Sequence, residues 1–268
     1  MIPNFNTEIV PLLDHPQASG YERGGLTFTS SMPSLSAAVE GFEKGELIVI
    51  TAPPGHGKTQ LARTFSMDMI LHGLNVLYLS FELTYSQLAR LFQISGLDQL
   101  SAKKLILAPT DYSERDIAFV ERIVELNEID ILVVDDIHSL EEKYSGERRT
   151  DNMALVIRGL AGRLKNLAIK KNIVVITMAH MRKDTIDSTR SSLSDIAYSG
   201  GIAQVADTVL QIKTDTKGNA VVEVTKSRWS GTKIKATCKS VNKLFKELPP
   251  NEQPIDDVVN QFRSKSQK

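Results

Sequence analysis

Five short runs of consecutive apolar residues recur along the chain, and stretches with helical spacing lie between them. The runs occupy residues 47–50, 76–79, 105–108, 131–134 and 173–178. They are rich in Val, Ile and Leu and do not alternate with polar residues, which is typical of strands buried on both faces. The pattern predicts an α/β protein with a mostly parallel central sheet whose strands are connected by flanking helices.

Helix starts can be recognised between these runs. Residues 84–87 (TYSQ) and 113–116 (SERD) each have the spacing of a capping box, in which the first and fourth residues bond each other's backbone N–H groups. A helical stretch is predicted at residues 61–71. Another is predicted at residues 152–169, where apolar residues recur with the period of an α-helix.

The apolar pattern changes towards the carboxyl end of the chain. Short segments with strand character replace the helical spacing at residues 208–213, 220–226 and 234–239. Gly218-Asn219 and Ser230-Gly231 separate these segments, and such residues favour the tight turns of hairpins. The sheet is therefore predicted to end in C-terminal β-hairpins.

The two ends of the chain differ from its middle. Residues 1–30 are interrupted by Pro and Gly and predict an N-terminal arm or linker. Residues 31–248 predict the folded domain, and the polar residues 249–268 predict a flexible C-terminal tail. With 268 residues, 41% of them hydrophobic, the chain could form one large domain or two small ones, and a single core is the preferred interpretation.

Charge and cysteine content narrow the chemistry. Lys plus Arg and Asp plus Glu both number 32, so contacts with nucleic acid would come from local patches or from repetition in an oligomer. The single cysteine, Cys238, excludes an intramolecular disulfide and a cysteine-based zinc site. The sequence has no secretory leader and no apolar run of membrane length, so a cytoplasmic protein without membrane contact is expected.

A glycine-bearing loop, Ala52-Pro-Pro-Gly-His-Gly-Lys-Thr59, connects the first apolar run to the helical stretch after it. Strand, loop and helix in this order predict a cradle in which backbone N–H groups at a helix start bind nucleotide phosphates. Lys58 would reach the β- and γ-phosphates, and Thr59 would hold Mg²⁺. Ala52 replaces the usual first Gly, which is compatible with a negative φ. The predicted nucleotide-binding residues are Ala52, Pro53, Pro54, Gly55, His56, Gly57, Lys58, Thr59 and Gln60.

Acidic residues follow two other runs at the same predicted edge of the sheet. Asp135 and Asp136 end the run at residues 131–134, where a carboxylate can join the shell of a Mg²⁺ ion. Asp135 is the preferred metal residue, and Asp136 is the alternative. Glu82 lies just beyond the run at residues 76–79. Its position fits equally a base that activates the attacking water and a residue that only favours the dipole of the next helix.

His180 follows the apolar run at residues 173–178, again where ligands gather in parallel sheets. A polar side chain at this point can contact the γ-phosphate of a bound nucleotide. A single histidine more often has a structural hydrogen-bonding role, and from the residues alone that role is preferred.

The ordered set of motifs resembles the RecA-type ATPase domain of DnaB-like hexameric replicative helicases, including phage helicases and primase-helicases. The matching stretches are residues 41–46 (GFEKGE), 79–83 (LSFEL), 87–89 (QLA), 133–137 (VVDDI), 174–180 (VVITMAH), 193–195 (LSD), 199–200 (SG), 206–207 (AD) and 226–228 (KSR). They lie in the family's order across residues 31–248 with compatible spacing. The resemblance implies a RecA-like P-loop NTPase core.

The resemblance also implies roles for individual residues. It makes Glu82 the catalytic base, Asp135 the magnesium carboxylate and His180 the γ-phosphate sensor. Lys226 and Arg228 correspond to the pair that enters the neighbouring subunit's site and stabilises charge on the transferring phosphate. A basic pair on an exposed strand is the alternative for these two residues.

Contacts with single-stranded DNA are implied on two loops that would line the channel of a ring. One loop follows Asp135 and the other precedes Leu193, and solvated surface charge is the alternative for every candidate. The candidates are Lys143, Arg148, Arg149, Arg182, Lys183, Arg190 and Tyr198. Ala197 and Tyr198 stand where the family usually has Arg and Glu, and Tyr198 could stack on a base.

The resemblance thus implies an ATP-dependent replicative DNA helicase that forms a hexameric ring and translocates on single-stranded DNA. ATP and Mg²⁺ are the expected cofactors, and primase and a helicase loader are candidate partners. A RecA- or KaiC-like ATPase without unwinding activity and an ATP-gated loader or binding module remain alternatives. Because only a short segment precedes the domain, no primase activity is expected, and an arm that packs on the adjacent subunit is predicted. A phage origin, and thus a bacterial host cytoplasm, fits this organisation.

Overall fold

The computed structural model describes residues 26, 31–109, 115–141, 152–181, 199–214, 219–230, 234–249 and 251–252. Strands in these ranges are β1 (Leu47–Ala52), β2 (Val76–Ser80), β3 (Leu105–Pro109), β4 (Ile131–Asp135), β5 (Val174–His180), β6 (Thr208–Thr214), β7 (Ala220–Ser227), β8 (Lys235–Val241) and β9 (Leu244–Glu247). Helices are α1 (Pro33–Val39), α2 (Lys58–Leu71), α3 (Tyr85–Ile94), α4 (Ile117–Leu126), α5 (Met153–Lys171) and α6 (Ser199–Val205).

The described strands form a single sheet in the order β3-β2-β4-β5-β1-β6-β7-β8-β9. Pairing is parallel from β3 through β6 and antiparallel from β6 through β9. The predicted mostly parallel sheet and its C-terminal hairpins are therefore confirmed. All five apolar runs lie on strands of the parallel part.

Both faces of the parallel strands are covered by apolar side chains. In β1, Ile48 and Ile50 belong to one core with residues of α1, α2 and α3, whereas Leu47 and Val49 belong to a second core with α4, α5 and α6. All four side chains have no solvent exposure. Helices on both faces explain why the runs are apolar at successive positions instead of alternate ones.

Helix α3 begins with the capping box that the sequence predicts. The backbone N–H of Gln87 donates to Thr84 Oγ1 (3.3 Å), and the backbone N–H of Thr84 donates to Gln87 Oε1 (3.0 Å). The second predicted box is wrong. Asp116 is not the fourth residue of a box but the N-cap itself, since its carboxylate accepts the backbone N–H of Ala118 (3.0 Å) and α4 starts at the next position. A short carboxylate fits this position well.

Strand β9 is absent from the sequence-based prediction. It follows β8 through a two-residue turn in which Asn242 and Lys243 have φ values of 49° and 62°. Both values lie in the left-handed region that a tight hairpin turn requires, but the dipeptide lacks the Gly that makes such turns easy to recognise. The antiparallel part of the sheet therefore has one strand more than the turn residues predict.

Among the described helices, none has the length and apolar character needed to cross a membrane. The predicted arm at residues 1–30 is described only at Leu26, which forms a backbone bridge with Phe42. Residues 253–268 of the predicted tail lie outside the described ranges. Both assignments stay predictions.

Candidate nucleotide-binding and catalytic site

The register of the parallel strands gathers the predicted polar residues at one edge of the sheet. Ala52, at the end of β1, pairs with His180, at the end of β5. Ser80, at the end of β2, pairs with Asp135, at the end of β4. The carboxyl ends of four neighbouring strands therefore meet beside the glycine-bearing loop, and ligands bind at this edge in open α/β sheets.

The loop between β1 and α2 is shaped by its glycines. Gly55 and Gly57 have φ values of 78° and 91°, a region that favours glycine. Gly57 is the N-cap of α2 and has no side chain to occupy the first N–H groups of the helix. Ala52 belongs to the regular register of β1, so its extended backbone accommodates alanine. The loop fits a group of phosphate oxygens at the amino end of α2.

A hydroxyl and a carboxylate meet next to this loop. Thr59 Oγ1 donates to Asp135 Oδ2 (2.8 Å), and the Tyr78 hydroxyl lies 3.3 Å from the same oxygen as a second donor. Asp135 is 1% exposed, and burial raises the pKa of its carboxyl to about 6. Hydroxyl and carboxylate oxygens are the ligands that Mg²⁺ prefers, so Thr59 and Asp135 could hold this ion directly or through water.

Asp136 contacts histidine, whereas the hydroxyl of Thr59 bonds Asp135. Its Oδ2 lies 2.8 Å from His180 Nε2, and its Oδ1 accepts the backbone N–H of Ser139 (3.0 Å). This hydrogen bond with Asp136 raises the pKa of His180. The geometry thus favours Asp135 over Asp136 as the metal residue. The contact with Asp136 is also a structural hydrogen bond of the kind that the sequence alone favours for His180.

His138 lies beside the same pair, on the 3₁₀ turn Ile137–Ser139 that follows β4. Its ring centroid is 5.0 Å from that of His180. Burial lowers the pKa of His138 to about 4, so its imidazole is neutral at neutral pH. The sequence reasoning missed this residue because His138 precedes no obvious motif and meets His180 only through the pairing of β4 with β5.

Glu82 is exposed, two residues after β2 and two before the Thr84 N-cap of α3. Its negative charge acts on Asp135 and on His180, raising the pKa of each as a minor contribution after burial and hydrogen bonding respectively. The carboxylate is therefore on the nucleotide side of the sheet and open to solvent. This position is compatible with contact to a water molecule near the γ-phosphate.

Lys226 and Arg228 lie at the opposite end of the strands from the phosphate loop, where β1 begins. Arg228 Nη1 is 3.4 Å from Oδ1 of Asp207, and Asp207 Oδ2 accepts the backbone N–H of Leu47, the first residue of β1 (2.8 Å). From its first to its last residue β1 spans roughly 17 Å, which an arginine side chain cannot bridge. Arg228 therefore does not reach the phosphate loop of its own chain.

The side chain of Lys226 is anchored within the chain more firmly than that of Arg228. Its Nζ donates to the carbonyl oxygens of Ala203 (2.8 Å) and Ala206, at the end of α6. Burial lowers its pKa. By contrast, the Arg228 side chain is 48% exposed, so of the two it is the one able to reach another molecule from this edge.

The predicted DNA-contacting residues cannot be located. Lys143, Arg148, Arg149, Arg182, Lys183, Arg190 and Tyr198 all lie outside the described residues. Their assignment stays a prediction from the resemblance.

A sequence comparison decides the family. Residues 25–185, more than half of the chain, match the model of a family described as an AAA domain. The chain belongs to this AAA domain family. The match extends from just before α1 to just beyond β5 and so includes the phosphate loop, Glu82, Asp135 and His180.

Curated relatives of this AAA domain include replicative helicases. The chain is 26% identical to the probable replicative DNA helicase of Trieres chinensis, over 72% of this chain and 48% of that protein. It is 29% identical to the replicative DNA helicase DnaB of Helicobacter pylori strain J99, over 70% of this chain and 45% of that protein. It is 30% identical to the DNA repair and recombination protein RadB of Methanosphaera stadtmanae, over 51% and 60% respectively. The chain spans about half the length of the helicases it matches.

Solved structures show that the AAA domain has a RecA-like fold. One solved ATPase domain superposes with a TM-score of 0.72 at 16% identity, covering 87% of this chain and 94% of that one. A DnaB-like replicative helicase superposes with a TM-score of 0.71 at 16% identity, covering 89% and 65%. The RadB recombinase has a TM-score of 0.61 at 20% identity, covering 81% and 97%.

Proposed function

We propose that this AAA domain hydrolyses ATP with Mg²⁺ and, as a ring of copies, uses the reaction to translocate along single-stranded DNA and separate duplex strands. The observation that carries the proposal is the division of the site between two edges of the sheet. The phosphate loop, Thr59 and Asp135 lie at one edge, and Arg228 lies at the other. A complete site would therefore need a second copy of the chain, which supplies its own Arg228.

Nucleotide binding would use the loop and the start of α2. Backbone N–H groups of residues 55–59 would bind phosphate oxygens, assisted by the helix dipole. The Lys58 ammonium would neutralise charge on the β- and γ-phosphates. Mg²⁺ held near Thr59 and Asp135 would stabilise the negative charge that develops on the phosphates during transfer. The hydrogen bonds from Thr59 and Tyr78 would keep the carboxylate of Asp135 oriented towards the ion.

Glu82 is the proposed general base. Its exposed carboxylate would accept a proton from the water that attacks the γ-phosphate, and a base of this kind contributes about 10²–10⁴ in rate. His180 would donate a hydrogen bond to a γ-phosphate oxygen while its other contact, Asp136, fixes the ring. Loss of the γ-phosphate would then be felt by the segment that directly follows β5.

Arg228 is the residue proposed to act at the nucleotide site of a neighbouring copy. Its guanidinium would leave Asp207 or share it, and would stabilise the transferring phosphate of the neighbouring copy, an effect worth about 10³–10⁵ in rate. Lys226, which is bonded to the end of α6, would instead support the position of this segment. This refines the expectation that both basic residues reach across.

Single-stranded DNA is the proposed polymer substrate, because the helicase relatives are named for replication. The basic candidates among residues 143–190 and Tyr198 would line the channel of the ring. Each phosphate contact would contribute about −0.7 to the slope of log affinity against log salt. Affinity without a salt dependence would contradict a channel of this kind.

A forked-duplex unwinding assay tests the function. The full chain should separate the strands only with ATP and Mg²⁺, and Glu82→Gln should bind ATP but lose both hydrolysis and unwinding. Thr84→Ser, which retains the hydroxyl that caps the next helix, is the matched control and should keep both activities. Hydrolysis without strand separation would leave the ATPase assignment standing and exclude the helicase.

That outcome would favour the second candidate, a recombinase-like ATPase that assembles on DNA without unwinding it. The RadB relative, 30% identical, supports this candidate. Stimulation of ATP hydrolysis by single-stranded DNA with no unwinding would identify it. A third possibility, a loader or binding module, would show ATP binding with little turnover.

A further inference from the structure

Three side chains of types that commonly ligate metal ions converge beside the Thr59–Asp135 pair. Asp136, His138 and His180 each offer one ligand atom, and these atoms all lie within 4.8 Å of one another. Two of the residues come from the segment at the end of β4 and the third from the end of β5, which is paired with β4. The convergence is therefore produced by the sheet register, which a sequence pattern does not display.

The donor set is one carboxylate oxygen and two imidazole nitrogens. Bonds of about 2.0–2.2 Å to a Zn²⁺ ion would place tetrahedral ligand atoms roughly 3.3 Å apart. Asp136 and His180 already lie 2.8 Å apart. The His138 ligand atom lies within 4.8 Å of the other two, so bringing all three to the spacing of one ion would need a change of at most roughly 1.5 Å in any of these distances.

The carboxylate is preorganised by its second oxygen. Asp136 is 1% exposed, and its Oδ1 is held by the backbone N–H of Ser139, so that Oδ2 faces His180. A hydrogen bond that orients a ligating carboxylate is a common feature of metal sites in proteins. Two further charges act on His180, the Lys58 ammonium and the Glu82 carboxylate, and their opposite signs partly cancel.

We propose that Asp136, His138 and His180 form a binding site for one divalent transition-metal ion such as Zn²⁺. Imidazole nitrogen suits Zn²⁺ and Co²⁺, whereas Mg²⁺ prefers oxygen in an octahedral shell. The site is therefore distinct from the proposed Mg²⁺ position at Thr59 and Asp135. Its open coordination positions would be filled by water. If His180 also contacts the γ-phosphate, which rests on the proposed function, bound metal would compete for its ring.

Co²⁺ absorption in the absence of nucleotide tests the proposal with the untagged full chain. Tetrahedral or five-coordinate Co²⁺ bound by imidazole absorbs visible light far more strongly than the hydrated ion. The wild-type chain should show this band, saturate at one equivalent and lose the band to Zn²⁺ but not to excess Mg²⁺. His138→Ala and His180→Ala should each weaken Co²⁺ binding at least tenfold, since even losing an outer partner costs about 10–100-fold.

His72→Ala is the matched control, because His72 is an exposed histidine at the end of α2 outside the cluster. It should leave the titration unchanged. Three outcomes would overturn the proposal: no band with the wild-type chain, a band that survives in both cluster variants, or displacement by Mg²⁺ with the affinity of the nucleotide site. The Co²⁺ titration of the wild-type chain can overturn the proposal by itself, so the test does not depend on whether the variants fold. No readout requires ATP hydrolysis, so failure here is separate from failure of the proposed function.

Discussion

Tyr78 Oη lies 3.3 Å from Asp135 Oδ2, the same oxygen that accepts the hydroxyl of Thr59. Tyr78 is fully buried in the middle of β2. Its phenol therefore connects the core of the sheet to the carboxylate proposed to hold Mg²⁺.

Tyr78→Phe should lower the free energy of unfolding by about 1 kcal/mol, the usual net value of one hydrogen bond. It should also raise the Mg²⁺ concentration needed for half-maximal ATP hydrolysis, because Asp135 loses one of the two groups that orient it. Urea unfolding and a Mg²⁺ titration measure the two effects. Tyr85→Phe is the control, since Tyr85 is 56% exposed and should change neither. An unchanged Mg²⁺ requirement in Tyr78→Phe would remove the positioning role.

Asp207→Asn should lower the free energy of unfolding by about 3 kcal/mol, because it leaves the cations around a buried carboxylate uncompensated. Asp207 is 1% exposed and bonds Lys165 Nζ at 2.6 Å as well as the backbone of β1. Denaturant unfolding gives the value. Glu125→Gln breaks the exposed pair with Lys171 and should cost less than about 1 kcal/mol. Equal losses for the two variants would contradict the importance of burial.

Gly57→Ala should be more destabilising than Gly73→Ala, although both glycines have a positive φ, 91° and 83°. A Cβ at Gly57 would lie 2.6 Å from the ring of Phe245, whereas a Cβ at Gly73 would meet nothing within 4 Å. Backbone strain costs each variant about 1–2 kcal/mol, and the clash adds about 1–3 kcal/mol at Gly57 only. Unfolding in urea measures both.

A double variant separates the two costs at Gly57. With Phe245→Ala already present, Gly57→Ala should show only the strain term, so the two substitutions should be strongly non-additive. Additive losses would mean that the ring of Phe245 does not limit the phosphate loop.

Cys238 should be unreactive in the folded chain. Its thiol is fully buried, and burial raises its pKa, so the reactive thiolate is scarcer at a given pH than for an exposed cysteine. A thiol-specific chromogenic reagent at pH 8 should detect almost no thiol in the native protein and one thiol per chain in denaturant. Rapid labelling of native protein would show that β8 opens readily.

Mixing two inactive variants should restore ATP hydrolysis. Arg228→Ala lacks the residue proposed to act in trans, and Glu82→Gln lacks the base. In a random mixture of equal amounts, about a quarter of the interfaces would combine an intact Glu82 with an intact Arg228 from the neighbour, and should work. Steady-state hydrolysis of each variant alone and of the mixture measures this. A mixture no more active than its components would contradict a shared site.

The sequence was most informative where the chemistry is local. The phosphate loop is a continuous string that bends because of its own glycines, and the strands of the parallel part are continuous apolar runs, so both could be predicted. Tyr78 was not predicted, because a phenol in an apolar strand resembles any other core residue until the register places it against Asp135. The cluster around His138 was not predicted for the same reason, since His180 lies roughly forty positions beyond Asp136 and His138 and meets them only through the pairing of β4 with β5.

The second capping box shows a different limit. Ser113 and Asp116 have the correct spacing for a box, yet Asp116 alone could also be an N-cap, and spacing cannot separate the two. Tertiary contacts decide, because the backbone of Asp116 forms a bridge with Glu141 that fixes where α4 starts. Local patterns therefore located the elements well but placed their first residues less well.

The hairpin of β8 and β9 packs directly on the phosphate-loop helix. Gln60 Nε2 donates to Ser240 Oγ (2.9 Å), the backbone N–H of Phe245 donates to Thr64 Oγ1 (2.9 Å), and Arg63 donates to the carbonyl of Lys243 (2.9 Å). The two partners of each bond are separated by roughly 180 positions in the sequence. During synthesis the loop that would bind nucleotide thus leaves the ribosome well before the strands that support it. A chain released before this hairpin is made would contain the whole phosphate loop but lack the strands that pack against its helix.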